Sequence, residues 1–331
     1  VMNPTKLLHT QILLKNEHKP LVLFPFIDYS LGRLEGKYMK QYILFACIFF
    51  VFGSSLNATT VDMFCEQFDT SFSNNLLDLE KMGKAVLKRH NLPTKGKVKV
   101  YIRLASLYTC MGKYEEAEKY ASMGKSLAKD SSLPKLLARS LSTLSTVYLG
   151  LAQQQTNSEQ SLLLFKQAKD LGEEALGLAR GIKNHTFLLG KVLCKLGSVY
   201  LESPYEDSSI AIDLYQEALS YFKEDDIERY KTLNRLAQAQ LQTSQLKEAW
   251  ETLTPLLHLQ LEEGVRAFFY ITAMKITLKE GGFIQASIFA SNALRILKKL
   301  HLSANSESIE TTIQYIDKKI EENQKNLYTV K

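Results

Sequence analysis

From residue 97 onwards the apolar positions recur at helical spacing, with small residues set among large ones. In YIRLASLYTCMGKYEEAEKYASMG (101–124), Tyr101, Leu104, Ala105 and Tyr108 fall at i, i+3, i+4 and i+7, and Tyr114, Ala117, Ala121 and Gly124 form a matching stripe after Gly112. This spacing predicts two amphipathic helices meeting at a turn near Met111-Gly112-Lys113. Small residues on such a stripe let two backbones approach, and the Tyr and Leu fill the space beside the crossing.

The arrangement returns four times. The second unit pairs Leu141, Leu144, Ser145 and Tyr148 with Phe165, Ala168, Gly172 and Ala175. The third pairs Leu193, Leu196, Gly197 and Tyr200 with Ala211, Tyr215, Ala218 and Leu219, the turn falling at Ser203-Pro204. Leu233, Leu236, Ala237 and Gln240 precede Leu246, Ala249, Leu253 and Leu256 in the fourth. In the fifth, Tyr270, Ala273, Met274, Thr277 and Gly281 precede Phe283, Ala286, Ala290, Ala293 and Leu294.

At these residues the chain resembles the tetratricopeptide repeat family, with its large residue, Leu-Gly/Ala and Tyr on the first helix and Gly, Tyr/Phe and Ala leading into the second. The resemblance implies an all-α fold, a right-handed α-solenoid of helix pairs, with five repeats over 97–302. The chain departs from the family in several places. The residue opening the first helix is never Trp, the closing Pro is missing, and Gln240 and Thr277 stand where Tyr is expected. Ala117, Ala168, Ala211, Ala249 and Ala286 are 51, 43, 38 and 37 residues apart, against a family period of about 34. The polar tract QQQTNSEQ (153–160) reads as an exposed loop taking up the excess in unit two, and Pro255 should kink or shorten its helix.

Both ends of the stack are covered in the sequence. Ile309, Ile313, Ile316, Ile320 and Leu327 make one apolar stripe on an otherwise polar segment, 303–331, which predicts a C-terminal capping helix with a wet outer face. Val61 to Phe72 and Leu76 to Leu87 predict a degenerate N-terminal helix pair within 59–96.

The N-terminal segment has a different pattern. MKQYILFACIFFVFGSSLNATT starts at Met39 with a positive residue, Lys40, followed by an apolar run from Tyr42 to Gly53 and a short polar end at Ala58. That layout predicts a signal peptide over 39–58; the run is shorter than the roughly 20 residues a membrane span needs. The expectation is export, to a periplasmic or fully secreted location, with an uncleaved membrane anchor as the alternative. Since a signal peptide starts a chain, residues 1–38 are expected to be an upstream extension, and Val1 is what a literal reading of a bacterial GTG start would give.

Composition narrows the picture further. The chain carries 41 Lys and Arg against 35 Asp and Glu, but residues 1–58 hold six of the former and three of the latter, leaving a body at +3. That is no nucleic-acid footprint. Past Cys47, the three cysteines Cys65, Cys110 and Cys194 form no C-x-x-C and have no His at metal spacing, so they are expected as small buried side chains. His90, His185, His258 and His301 are isolated, and there is no G-x-S-x-G, P-loop or glycine fingerprint. No enzyme class, cofactor or metal is supported.

One charge pattern points towards a partner. The resemblance implies that the first helix of each pair lines the concave face, and the early positions of those helices are Lys99 and Arg103, Arg139, Lys191 and Lys195, and Lys231 and Arg235. Stacked, they would form a basic stripe for an acidic or C-terminal carboxylate segment of a protein or peptide; ordinary solvated surface charge would give the same pattern. The carboxylate clamp of chaperone-binding repeats is only half matched. Lys231 and Arg235 are similar to it, but Ile102 and Ser106 occupy the places of its Lys and Asn.

The expectation is a non-enzymatic interaction scaffold holding a peptide or protein segment. The alternatives are an exported sensor module of a truncated membrane signalling protein and a secreted effector.

Overall fold

A computed structural model describes residues 56–71, 76–89, 91–204, 208–299 and 303–329. Residues 1–38, most of the 39–58 segment, His90 and His301 lie outside the described residues.

The described residues form thirteen helices and no strand. An opening pair, α1 (Leu56–Ser71) and α2 (Leu76–Leu87), precedes five further pairs. These are α3 (Thr94–Cys110) with α4 (Tyr114–Asp130), α5 (Pro134–Gln154) with α6 (Ser158–Arg180), and α7 (Thr186–Leu201) with α8 (Ser208–Leu219). Then come α9 (Ile227–Gln242) with α10 (Leu246–Leu257) and α11 (Glu263–Lys279) with α12 (Phe283–Lys299). A last helix, α13 (Ser303–Thr329), lays Ile309 and Ile316 against α12, with Ile313 and Ile320 beside them.

Each helix packs on the next in sequence, and the first helices of the pairs also touch one another: α3 on α5, α5 on α7, α7 on α9 and α9 on α11. Among the described residues, the second helices make no such contact with one another. A row that is closer on one side bends towards that side, so α3, α5, α7, α9 and α11 form the concave face of an all-α solenoid.

The small residues lie where the helix stripes require them. Ala105, Ala117, Ala121, Ala168, Ala175, Ala211, Ala237, Ala249, Ala273 and Ala286 are all fully buried between helices. Gly197 on α7 shows why the position is small: a Cβ there would come within 2.8 Å of the ring of Tyr215 on α8, which is itself fully buried. Gly112, between α3 and α4, has φ +71°, a left-handed conformation that Gly adopts without steric cost.

A hydrogen bond recurs between successive pairs. The family-position tyrosines of the first three repeats donate to a glutamate on the preceding helix: Tyr108 to Glu80, Tyr148 to Glu118 and Tyr200 to Glu173, at 2.8, 2.7 and 2.7 Å. Gln240 and Thr277, which stand in place of Tyr, turn inward instead. The Gln240 amide oxygen accepts from Thr252, and Thr277 donates to the Ala273 carbonyl. Trp250 makes the tie between the last two pairs, its Nε1 donating to Glu280.

Two expectations need correction. The QQQTNSEQ tract is not a long loop, because only residues 155–157 break the helices. Asn157 caps α6, its Oδ1 accepting from the backbone of Glu159 and Gln160. The excess length of unit two goes into longer helices, 21 residues in α5 and 23 in α6 against 17 in each of α3 and α4. The cysteines also differ from expectation. Cys65 is buried, but Cys110 is exposed and Cys194 is half-buried. Pro255 lies inside α10, which ends after 12 residues.

Candidate functional site

The seven basic residues of the predicted stripe lie on α3, α5, α7 and α9, but they do not form one continuous row of available charge. At the front, Lys99 donates to Asp62 of α1 at 2.9 Å. Arg103 is buried, its guanidinium lying 5.8 Å over the ring of Phe68. Lys99 is thus ion-paired to the opening pair and Arg103 is buried against it, so these two lie with the opening pair and not with the other five.

The other five converge. Lys191 and Lys195 stand one turn apart on α7, Lys231 and Arg235 one turn apart on α9, and Arg139 is on α5 close enough for its charge to act on Lys195. Two helices with an i, i+4 pair on each bring four cations together, and three of them, Lys195, Lys231 and Arg235, line one hollow. That hollow has a volume of about 150 Å³ and is lined by Cys194, Lys195, Ser198, Glu228, Lys231, Thr232 and Arg235.

Carboxylates reach most of this group. Glu228 sits between Lys191 at 3.2 Å and Lys231 at 3.6 Å, and Arg235 reaches Glu202 at 3.5 Å. Burial pushes the Glu228 carboxyl up, but Lys191 and Lys231 outweigh it and hold it below the usual carboxylate range. Lys195 differs: its Nζ donates to a neutral hydroxyl, Thr143 Oγ1 of α5, at 3.0 Å. Among the described residues no carboxylate lies within salt-bridge distance of it.

Lys195 keeps some accessible surface, yet the concave wall crowds its ammonium, and losing water is the main reason its proton is held weakly. Repulsion from Lys191 and Arg139 adds to this, and together they bring it down to about 7. The same crowding acts on the thiols. Burial pushes Cys194 up to about 12, against the bond it shares with Thr232 at 2.9 Å, and Cys110 up to about 11 in spite of its exposed edge. At neutral pH both stay protonated, and a protonated thiol is neither a good nucleophile nor a metal ligand. Among the described residues, no group of three or more His, Cys, Asp and Glu is placed to hold a metal, and no helix is long and apolar enough to cross a membrane.

The sequence missed the counter-charges and the apolar rim. Phe187 stands exposed one turn before Lys191, edge-on to Phe222 at 5.5 Å and with the Lys191 ammonium 5.7 Å over its ring. Ile227 is exposed one turn before Lys231. A larger hollow of about 500 Å³ lies at the start of α6, lined by Asn157, Glu159, Gln160, Leu162, Leu163 and Lys166. All six come from one helix end, so no groups converge there.

No protein-family model matches the sequence, and no curated protein matches it. Solved structures do match its fold. A thermophilic tetratricopeptide-repeat protein of Thermus thermophilus is 16% identical with a TM-score of 0.51, over 66% of this chain and 99% of that one. A Rap protein complexed with Competence and Sporulation Factor is 11% identical with a TM-score of 0.54, over 82% and 78%. The apo form of RapI is 12% identical with a TM-score of 0.50, over 80% and 99%. The chain therefore has the fold of tetratricopeptide-repeat solenoids, with divergent repeats.

Proposed function

We propose that the chain is a non-enzymatic protein-interaction scaffold whose concave face holds a peptide or protein segment, with an acidic side chain or a C-terminal carboxylate seated between α7 and α9. The observation that carries this reading is that Lys195, Lys231 and Arg235 line one hollow with Glu228, while Lys191, paired to Glu228, and Arg139 act on Lys195 from beside it and Glu202 reaches Arg235. A prebuilt surface of this kind binds through shape and many small contacts, because little of it has to be ordered on binding. The Rap structure supports the reading as a case of the same fold in complex with a factor.

The test is selection from a displayed library of short peptides with free C-terminal carboxylates, repeated with amidated peptides. Acidic or free-carboxylate sequences should be enriched, and reversing Arg139, Lys191 and Lys231 together to Glu should abolish their retention. Retention unchanged in the triple variant defeats the reading.

Export through the 39–58 segment belongs to the same proposal and rests on the layout of the sequence. N-terminal sequencing of the protein from its native cells tests it: a chain beginning at Thr59 supports export and cleavage, and one retaining Met39 or Val1 overturns them.

A further inference from the structure

Among the described residues Lys195 is the one cation of the α7–α9 cluster with no carboxylate within salt-bridge distance; its ammonium donates to Thr143 Oγ1, and the residue lines the hollow. The groups around it come from four helices. They are Cys110 of α3, Arg139 and Thr143 of α5, Lys191 and Cys194 of α7, and Glu228, Lys231 and Arg235 of α9. Four of these eight are cations and one is a carboxylate. Glu228 is already shared between Lys191 and Lys231. A lysine in such a place gains little from its proton until an anion arrives.

We infer that Lys195 makes this hollow a proton-coupled anion site: a carboxylate that enters it is matched by a proton taken up on Lys195 Nζ. This rests on the proposed function for the place where the ligand sits. The proton comes from water or buffer and adds to the nitrogen lone pair, and no covalent bond to the ligand forms. Lys195 and the ligand carboxylate become one ion pair, with Thr143 Oγ1 left as a second acceptor for the ammonium.

The direction follows from linkage. Free Lys195 loses its proton near pH 7, whereas bound anion stabilises the charged form and raises that midpoint. Below neutrality the site is already charged and binding takes up no proton, so affinity is flat. Above it, each ligand carries in a proton, and affinity falls by up to about tenfold per pH unit until the midpoint of the bound state is passed.

The experiment uses the full chain with ε-13C lysine, the Lys195 resonance being assigned by its loss in Lys195→Arg and independently in Lys195→Met. The Met variant removes a crowded ammonium and is expected to fold at least as well as the parent. The probe is acetate, with potassium chloride at matched ionic strength as the control. We expect a midpoint near 7 in chloride, raised by about one pH unit in acetate. A midpoint in the ordinary lysine range, no movement with acetate, or the same movement in both salts overturns the inference. Because acetate is the probe, peptide retention and Lys195 titration are separate readouts. A chain that retains acidic peptides while Lys195 behaves as an ordinary lysine keeps the proposed function and loses this inference.

Discussion

The Tyr148 hydroxyl on α5 donates to the Glu118 carboxylate on α4 across 2.7 Å, joining one helix pair to the next. Tyr108–Glu80 and Tyr200–Glu173 repeat the bond on either side. In a solenoid, stability is approximately a sum of repeat and interface terms, so a bond repeated at three successive interfaces acts on the cooperativity of that part of the stack. Tyr148→Phe keeps the ring and removes the donor to a carboxylate, and should cost about 1–2 kcal/mol by urea unfolding at neutral pH.

The pH dependence of this bond has a definite sign. Burial first, then the bond to Glu118, pushes the Tyr148 phenol up to about 12, above its unfolded value of 10. The folded state therefore favours the protonated phenol. Its contribution is fully present below pH 10 and is lost as pH rises through about 12. Unfolding followed from about pH 8 into this range should show a shallower alkaline decline in Tyr148→Phe than in the parent, and identical slopes would refute the assignment.

Glu228 restrains the basic cluster, and removing its charge should release it. In Glu228→Gln, Lys191 and Lys231 lose their shared counter-ion, so affinity for acidic peptides selected on the parent should rise several-fold at low salt and fall back towards the parental value as salt screens the site. The lysines depress the folded Glu228 value, so its contribution to stability is present above the unfolded value of 4.5 and is lost as pH falls through the folded one. The variant should accordingly lose less stability than the parent on acidification. The pair is partly solvated, and its loss at neutral pH should cost about 1 kcal/mol or less.

These two relationships show how far the sequence could be read. Tyr108, Tyr148 and Tyr200 were legible as first-helix residues because their neighbours keep the i, i+3, i+4, i+7 spacing. Their glutamates were not, lying 28, 30 and 27 residues earlier as repeat length varies. The basic positions were legible in the same way, from their place on the first helices. What each base faces depends on residues at other offsets: Asp62 for Lys99, 37 residues away, and Glu202 for Arg235, 33 away. A stripe read from one helix face therefore could not separate Lys99 and Arg103, held by the opening pair, from the other five cations, three of which line the hollow. The loop expected at 153–160 failed for a local reason: Gln, Ser and Glu are as suited to helix ends as to loops once Asn157 supplies the cap.

The turn between α9 and α10 contains Ser244 at φ +61°, where the corresponding turns of the first and fifth repeats have Gly112 and Gly281 at +71° and +79°. A side chain in the left-handed region costs roughly 1 kcal/mol that Gly avoids. Ser244→Gly should stabilise the protein by up to about 0.5 kcal/mol, after the greater freedom Gly gives the unfolded chain offsets much of the gain. Thermal unfolding of the variant beside Gly112→Ala gives the check, since the latter introduces the same strain and should be destabilised.

Two helix glycines should respond to alanine in opposite directions. Gly177 on α6 is exposed, and a Cβ there would meet nothing within 4 Å, so Gly177→Ala gains only helix propensity and should stabilise by about 0.5–1 kcal/mol. Gly197 on α7 has the same propensity to gain, but its Cβ would come within 2.8 Å of the Tyr215 ring. That ring is fully buried and its hydroxyl is bonded to Ser198 at 3.1 Å, so it cannot swing aside into solvent. The α7–α8 crossing would have to widen, and overpacking of this kind costs about 1–3 kcal/mol. Gly197→Ala should therefore unfold at lower urea than the parent and Gly177→Ala at higher. Two variants moving together would mean that the close crossing of the third repeat is not what keeps residue 197 small.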